Sequence, residues 1–319
     1  MSFKIIGTGS ALPEKIVTND DLTKFVDTTD EWIIQRTGIK ERRICTDETT
    51  SSLSTKAALN ALENANIDVK NIDLIICSTI RGDYITPSLA CVVAENIGAT
   101  CPAFDINAAC SGFIYALEVA AGFFARDTAK TILVISAETM SKMADFEDRA
   151  TCVLFGDGAG CVVLEKGDDY LASKITAKGN KEVLNMPNVE GNSPYNQTRQ
   201  QPIYLYMKGQ EVFKFAVTSM YRNLTEVIKK AGFATKDVSW VFPHQANIRI
   251  LQTAKAKLDI PDEKYAINID KTGNISSACI PTLLDQFNRS GKLKKGNILA
   301  MTSFGAGLTT GSAVIRWSK

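Results

Sequence analysis

Apolar positions along the chain follow two alternating rhythms. Short runs rich in β-branched residues predict strands over Asp73–Thr79, Thr131–Ser136, Gly160–Leu164, Trp240–Pro243, Asn297–Thr302 and Ser312–Trp317. Longer amphipathic stretches predict helices over Thr50–Asn64, Ser111–Phe124, Gly209–Lys230 and Ile248–Leu258. Within Gly209–Lys230, Val212, Phe215, Ala216, Met220 and Leu224 recur with a period of about 3.6 residues. Strand alternating with helix is the pattern of an α/β fold.

The pattern also repeats. Val69-Lys-Asn-Ile-Asp-Leu-Ile-Ile follows the same logic as Thr235-Lys-Asp-Val-Ser-Trp-Val-Phe. Phe155-Gly-Asp-Gly leads into Cys161-Val-Val-Leu, as Phe304-Gly-Ala-Gly leads into Ala313-Val-Ile-Arg. Ile76 to Cys110 and Phe242 to Ser276 both span 34 residues; Cys110 to Leu133 and Ser276 to Leu299 both span 23. This predicts a duplicated βαβ unit, with residues 1–170 and 171–319 as its halves and an extra connection near 138–154 in the first copy. The spacing pairs Cys110 with Ser276. Coincidence between two ordinary α/β segments is the competing reading.

Composition narrows the function. The 319 residues are 45% hydrophobic and 22% charged, enough for a sizeable core and unlike a disordered chain. Lys and Arg number 36 against 35 acidic residues, a net charge of +1, which argues against a nucleic acid as the main partner. The N-terminal apolar run breaks at Gly7, too early for a signal-peptide core. The best apolar window, Gly112 to Ala125, is interrupted by Glu118 and falls short of the roughly 18 residues of a membrane span. A soluble, cytoplasmic protein without a membrane partner is expected. Eight cysteines contain no CxxC pair and are accompanied by a single histidine, so a zinc site has little support and reduced thiols are expected. Each cysteine is structural by default.

Three segments carry candidate chemistry. Asp105-Ile-Asn-Ala-Ala-Cys110-Ser-Gly places a thiol where a helical pattern begins, and unpaired N–H groups there lower a thiol pKa. Small neighbours (Ala108, Ala109, Ser111, Gly112) leave room for a substrate. A packed cysteine at a helix start is the plainer alternative. His244, the only histidine, stands in Val241-Phe-Pro-His244-Gln-Ala-Asn247, where a strand gives way to a helix. Open α/β sheets hold their ligands at strand ends, although a lone histidine is more often a satisfied core or surface residue. Lys271-Thr-Gly-Asn274-Ile-Ser-Ser-Ala puts Asn274 two residues before the position paired with Cys110. Cys110, His244 and Asn274 are expected to converge between the halves.

On these segments the chain resembles the thiolase superfamily, and within it the 3-oxoacyl-acyl-carrier-protein synthase III family. The resemblance runs through Ile6-Gly-Thr-Gly-Ser-Ala-Leu-Pro, Asp30-Glu-Trp-Ile, Arg36-Thr-Gly-Ile, Ala108-Ala-Cys110-Ser-Gly-Phe, Leu154-Phe-Gly-Asp-Gly-Ala-Gly, Pro243-His-Gln-Ala-Asn-Ile-Arg-Ile and Gly273-Asn274. It implies a thiolase-like duplicated five-layer α/β/α/β/α fold and a homodimer. Cys110 would take an acyl group from an acyl-CoA, with its own N–H and that of Ala306 forming an oxyanion hole. His244 and Asn274 would stabilise the enolate of a decarboxylating malonyl thioester on acyl carrier protein. The product would be a 3-oxoacyl-acyl carrier protein, initiating fatty acid synthesis with no metal or redox cofactor.

The same likeness places Trp32 and Arg149 on either side of the CoA adenine, with Thr28, Arg36 and Asn247 along its nucleotide and pantetheine. Thr86, Leu154, Met207, Phe213 and Phe304 would line the acyl pocket. Lys214, Arg249, Lys255 and Lys257 would meet an acidic carrier protein. Without the likeness, Trp32 and Arg36 read as a surface helix, Leu154, Met207 and Phe213 as core, and Lys255 and Lys257 as a solvated face. Three positions depart from the family pattern. Thr86 replaces a frequent Phe, Thr310 a frequent Trp, and Ala306 a usual Gly whose replacement is strained if φ is positive. A relative making a specialised acyl product, or a partner subunit without catalysis, are the alternatives. Such subunits typically lack the active cysteine, which is present here. A thiolase proper would carry a second cysteine near the C-terminus; Cys279 lies in another context and the last fifteen residues hold none.

Overall fold

The computed structural model of the chain describes residues 2–188, 204–258 and 260–319. One sheet contains β1 (Ser2–Ala11), β2 (Leu74–Ser78), β3 (Ala103–Ile106), β4 (Thr131–Thr139) and β5 (Asp157–Gly167), in the spatial order β1-β5-β4-β2-β3. A second contains β6 (Tyr170–Ala177), β7 (Trp240–Pro243), β8 (Ile298–Gly305) and β9 (Thr309–Arg316), in the order β7-β8-β9-β6. The principal helices are α1 (Asp30–Thr37), α2 (Thr50–Ala65), α3 (Leu89–Ile97), α4 (Gly112–Ala125), α5 (Gly209–Lys230), α6 (Ile248–Lys255) and α7 (Cys279–Arg289).

These elements stack in five layers: α2 and α3, the first sheet, α4 and α7, the second sheet, then α5 and α6. Strand alternation sorts the side chains between layers. On β2, Ile75 and Cys77 pack toward Ala57, Ala61 and Val93 of the outer helices. Leu74 and Ile76 face inward, in one core with Phe113, Leu117, Phe124, Leu283, Leu284, Leu299 and Met301. Because both faces are covered, the central strands are nearly uninterrupted apolar runs. That is why they were legible in the sequence. β1 was not, because Gly7 and Gly9 break its pattern. A Cβ on Gly9 would stand 2.3 Å from Ala57 O, and one on Gly7 2.6 Å from Ala61 O. The glycines let β1 meet the backbone of α2 directly.

The duplication is present in the topology. β2, β4, β5 and β1 recur as β7, β8, β9 and β6, with the same parallel and antiparallel pairings. β3 is matched only by a single parallel bridge, Val241 to Tyr265. Two details of the expected register are corrected. Ala109 (φ +46°) opens the 3-10 turn Ala109–Ser111 before α4, and Ser276 (φ +50°) opens the turn Ser276–Ala278 before α7. Cys110 therefore corresponds to Ser277, not Ser276. The reason is one additional residue in the second connection: Ile75 to Cys110 spans 35 residues and Val241 to Ser277 spans 36. The two Phe-Gly tetrapeptides are not equivalent either. Phe155-Gly-Asp-Gly opens β5, whereas Phe304-Gly closes β8. Their glycines answer a common need for close backbone approach, Gly156 to Thr272 O and Gly305 to Cys110 N. The extra connection in the first copy is real, joining β4 to β5 across 140–156.

Replacing Gly9 with Ala forces a methyl group into the β1–α2 contact, and overpacking of this kind costs about 1–3 kcal/mol. Gly9→Ala should lower the midpoint of thermal and urea unfolding. Gly179→Ala, at an exposed position with nothing within 4 Å of the added Cβ, should leave both unchanged.

Candidate active site

The turns before α4 and α7 meet where the two sheets face each other. Cys110 lies in the first, and the Ser276 hydroxyl of the second donates to its Sγ at 3.3 Å. Two glycines let the ends of β2 and β8 close in on the first turn. A Cβ on Gly112 would fall 1.8 Å from Ser78 Oγ, and one on Gly305 2.7 Å from Cys110 N. Ala306, next to Gly305, lines the same space, and its φ is not positive, so the Ala carries no left-handed strain.

Asn274 is fixed by backbone and side chain together. Its N–H donates to Leu154 O at 2.8 Å, and its carbonyl accepts from Gly156 N at 3.1 Å. Its Oδ1 accepts from Ser276 N at 2.8 Å. With Oδ1 turned to Ser276, the amide nitrogen is the donor left for a ligand. His244 follows β7, with its N–H donating to Thr302 O at 2.8 Å. Its ring packs edge-on to Phe304 at 5.4 Å. It is 1% exposed, and among the described residues neither ring nitrogen has a hydrogen-bond partner. Burial pushes its pKa down to about 3, so the imidazole is neutral. Two neutral donors thus stand unspent beside a thiol.

The electrostatics of Cys110 correct the sequence expectation of a lowered pKa. Burial pushes the thiol up to about 12, against the hydrogen bond from Ser276, which pulls it down. The nearby Glu138 carboxylate raises it further. Desolvation at the meeting of the two turns outweighs what the backbone N–H and the Ser276 hydroxyl give back.

A cavity of about 750 Å³ joins these groups to the surface. Cys110, His244, Asn274, Leu154, Phe304 and Ala306 line it, as do Met207 and Phe213. Exposed cations ring its outer part: Arg36, Arg149, Lys214 and Arg249. Thr29 caps α1 by accepting from Trp32 N at 3.1 Å, and α1 in turn presents Trp32. The Arg36 and Arg149 guanidinium carbons lie 4.7 and 4.9 Å from the centre of the Trp32 ring. Arg149 also donates to Asp27 O at 2.7 Å.

Other expected residues stand elsewhere or are already engaged. Asn247 lines the cavity, but its Oδ1 accepts from Arg249 N at 2.8 Å, and its Nδ2 donates to Arg36 O at 3.0 Å. It caps α6 and ties it to α1. Lys255 is not on the cavity: it pairs with Asp262 at 2.8 Å and covers the Tyr265 ring. An internal ion pair explains it better than a docking patch. Lys257 is exposed but is not a lining residue, and Thr28 is half-buried beside the lining rather than in it. Thr86 lies on an outward loop between Ile85, 83% exposed, and the cis residue Pro87, away from its own chain's cavity. Thr310 bonds Thr176 and Asn223 and is buried. Two polar residues beside the thiol were missed, Ser276 and Glu138. The signal for Glu138 was one carboxylate inside the apolar run Ile135-Ser-Ala-Glu138; Ser276 was seen only as a repeat partner.

Comparison with known proteins agrees with the geometry. Family models match residues 104–179 (3-oxoacyl-[acyl-carrier-protein] synthase III) and 228–317 (its C-terminal part). The chain is 47% identical to the beta-ketoacyl-[acyl-carrier-protein] synthase III of Clostridium acetobutylicum, over 100% of this chain and 99% of the relative. The crystal structure of the Aquifex aeolicus 3-oxoacyl-[acyl-carrier-protein] synthase III superposes with a TM-score of 0.93 at 47% identity, covering 99% of this chain and 100% of that one. The priming β-ketosynthase of the R1128 polyketide pathway gives 0.92 at 33% identity, covering 100% and 97%. With that identity over the full length of both chains, this chain belongs to the 3-oxoacyl-[acyl-carrier-protein] synthase III family of acyltransferases.

Proposed function

We propose that this chain condenses an acyl-CoA primer with malonyl-acyl carrier protein, through an acyl-Cys110 intermediate, to form the 3-oxoacyl-acyl carrier protein that starts fatty acid synthesis. The observation that carries it is one cavity holding a thiol, a neutral imidazole with both nitrogens unpaired, and an amide with its N–H₂ free. An imidazole this hard to protonate is a weak base; as a neutral N–H donor it suits a developing enolate. Cys110 attacks the primer thioester and releases CoA. The N–H groups of Cys110 and Ala306 hold the tetrahedral oxyanion. The malonyl thioester carbonyl then rests on His244 and Asn274. Loss of carbon dioxide leaves its electron pair on the α-carbon, which attacks the acyl-Cys110 carbonyl. That pair comes from the broken carbon–carboxylate bond, so the chemistry asks for no redox cofactor.

Trp32, Arg36 and Arg149 at the mouth fit an adenine and its phosphates, since guanidinium groups bind phosphate in a fixed fork. Lys214 and Arg249 remain as the carrier-protein contact, while Lys255 and Lys257 leave that set. A C2 homodimer would cover the Tyr84–Ile85 loop, 61% and 83% exposed, and carry Thr86 to the partner's acyl pocket. The first half, 1–170, supplies the nucleophile and the second, 171–319, the two enolate donors. No helix among the described residues is long and apolar enough to cross a membrane. A primer other than acetyl is the second reading, favoured by the small side chain of Thr86.

Intact-protein mass spectrometry with acetyl-, isobutyryl- and longer acyl-CoAs should show an acyl adduct that Cys110→Ala abolishes. No adduct with any of them would end this reading. His244→Ala should keep the adduct and lose about 10²–10³-fold in condensation, the range for removing one such donor. Equal loss in both half-reactions would contradict the assigned division. Arg149→Ala should raise KM for acyl-CoA by roughly tenfold, worth about 1.4 kcal/mol, with kcat little changed.

A further inference from the structure

Acyl transfer at Cys110 asks two backbone N–H groups to act as one, although they come from opposite halves of the chain. Cys110 stands in the turn before α4, and Ala306 directly follows β8. A pair of donors stabilises an oxyanion only when each lies about 2.7–3.1 Å from the point where charge develops. Gly305 sets how near the two segments come, because its bare backbone lies against Cys110 N. Nearness alone does not keep them in register. Thr309, the first residue of β9, is bonded to both. Its hydroxyl donates to Ala108 O at 3.0 Å and to Ala306 O at 3.0 Å. A hydroxyl has one proton, so the two carbonyls share it in a three-centre bond. Without a donor between them, two carbonyl oxygens converging on one point repel each other.

We propose that Thr309 is a positioning residue for acyl transfer, whose shared proton clamps the Cys110 turn to the Ala306 segment and so fixes the spacing of the oxyanion hole. The inference rests on the synthase reading of the site. The hydroxyl acts through backbone rather than on substrate: Ala109, Cys110 and Ala306 line the cavity, and Thr309 does not. Other bonds shape the turn from within. Ala109 N donates to Asn107 Oδ1 at 3.1 Å, and Ser111 N to Ala108 O at 3.1 Å. Of these, only the Thr309 bond ties the turn to the other half.

The surroundings of Thr309 suit this part. β9 pairs with β8 through Gly305 and with β6 through Ala177, so the hydroxyl is carried by the sheet. Groups held on strands are placed more precisely than groups on loops. The β-branched side chain has few χ1 choices, which keeps the hydroxyl aimed. Thr309 is buried, so solvent is a poor replacement for its proton. Valine has nearly the same shape and no donor; serine keeps the donor and drops a methyl group.

The test compares wild type with Thr309→Val and Thr309→Ser. Single-turnover acylation by an acyl-CoA is followed by quenched mass spectrometry over a range of donor concentrations. Thr309→Val should slow the limiting rate about tenfold, the size of one neutral hydrogen bond, and leave the half-saturating concentration unchanged. Thr309→Ser should recover most of that rate. Alkylation of Cys110 by iodoacetamide develops no oxyanion, so Thr309→Val should leave it unchanged, whereas a folding defect would alter both reactions. The activated ester p-nitrophenyl acetate acylates a thiol without a CoA site and separates the two ideas. Wild type acylated by it but by no acyl-CoA, with the loss in Thr309→Val, would keep the clamp and remove the synthase reading. Unchanged acylation in Thr309→Val, matching changes in acylation and alkylation, or no recovery in Thr309→Ser would overturn the clamp.

Discussion

Everything at the site depends on two turns being able to touch. The turns before α4 and α7 are brought together because those helices share the layer between the sheets, in one apolar core with Phe113, Leu117, Leu283 and Leu284. The strand ends of β2 and β8 close in on the first turn through Gly112 against Ser78 and Gly305 against Cys110. Ala109 and Ser276 take left-handed φ values to aim the next groups inward. The core brings the helices close; the glycines and the strained turns convert that closeness into chemistry.

Burial has opposite consequences for the two titratable groups of the proposed triad, and both favour neutral forms. It raises the Cys110 thiol and depresses His244. A resting neutral pair costs less to bury than a thiolate–imidazolium pair, which needs excellent geometry to offset desolvation. Reactivity is thereby kept for the moment when a thioester arrives. Asn274 obeys a related economy of partners. Its backbone is spent on Leu154 and Gly156, and its Oδ1 on Ser276, so only the donor end remains.

Much of this was legible beforehand, for physical reasons that differ by element. The buried central strands showed as apolar runs, and α5 as a long amphipathic period, because each has a well-defined environment on every side. Trp240–Pro243 and Gly209–Lys230 fall on the expected bounds. β1 was hidden because its inward contacts are with backbone, which selects glycine rather than an apolar side chain. α7 was hidden by Pro281 in its first turn, where proline is tolerated. At the site, the reactive residues stood out by rarity, one histidine above all. Ser276 and Glu138 did not, since serine and glutamate are common and only three-dimensional burial sets them apart. The thiol pKa was misjudged because the sequence shows a helix start but not the burial that outweighs it.

Trp32 remains, with a guanidinium on it from Arg36 and another from Arg149. The indole is therefore already occupied in the free protein. An aromatic ligand that stacks there must displace a cation whose contact is worth about 0.5–1 kcal/mol at an exposed site. For such a ligand, recognition would be an exchange of partners on a shared ring rather than the filling of an empty one. The displaced guanidinium is released beside the arriving group, so its charge is returned to the ligand instead of lost to solvent. Such an exchange would favour ligands that carry both a flat ring and an anion.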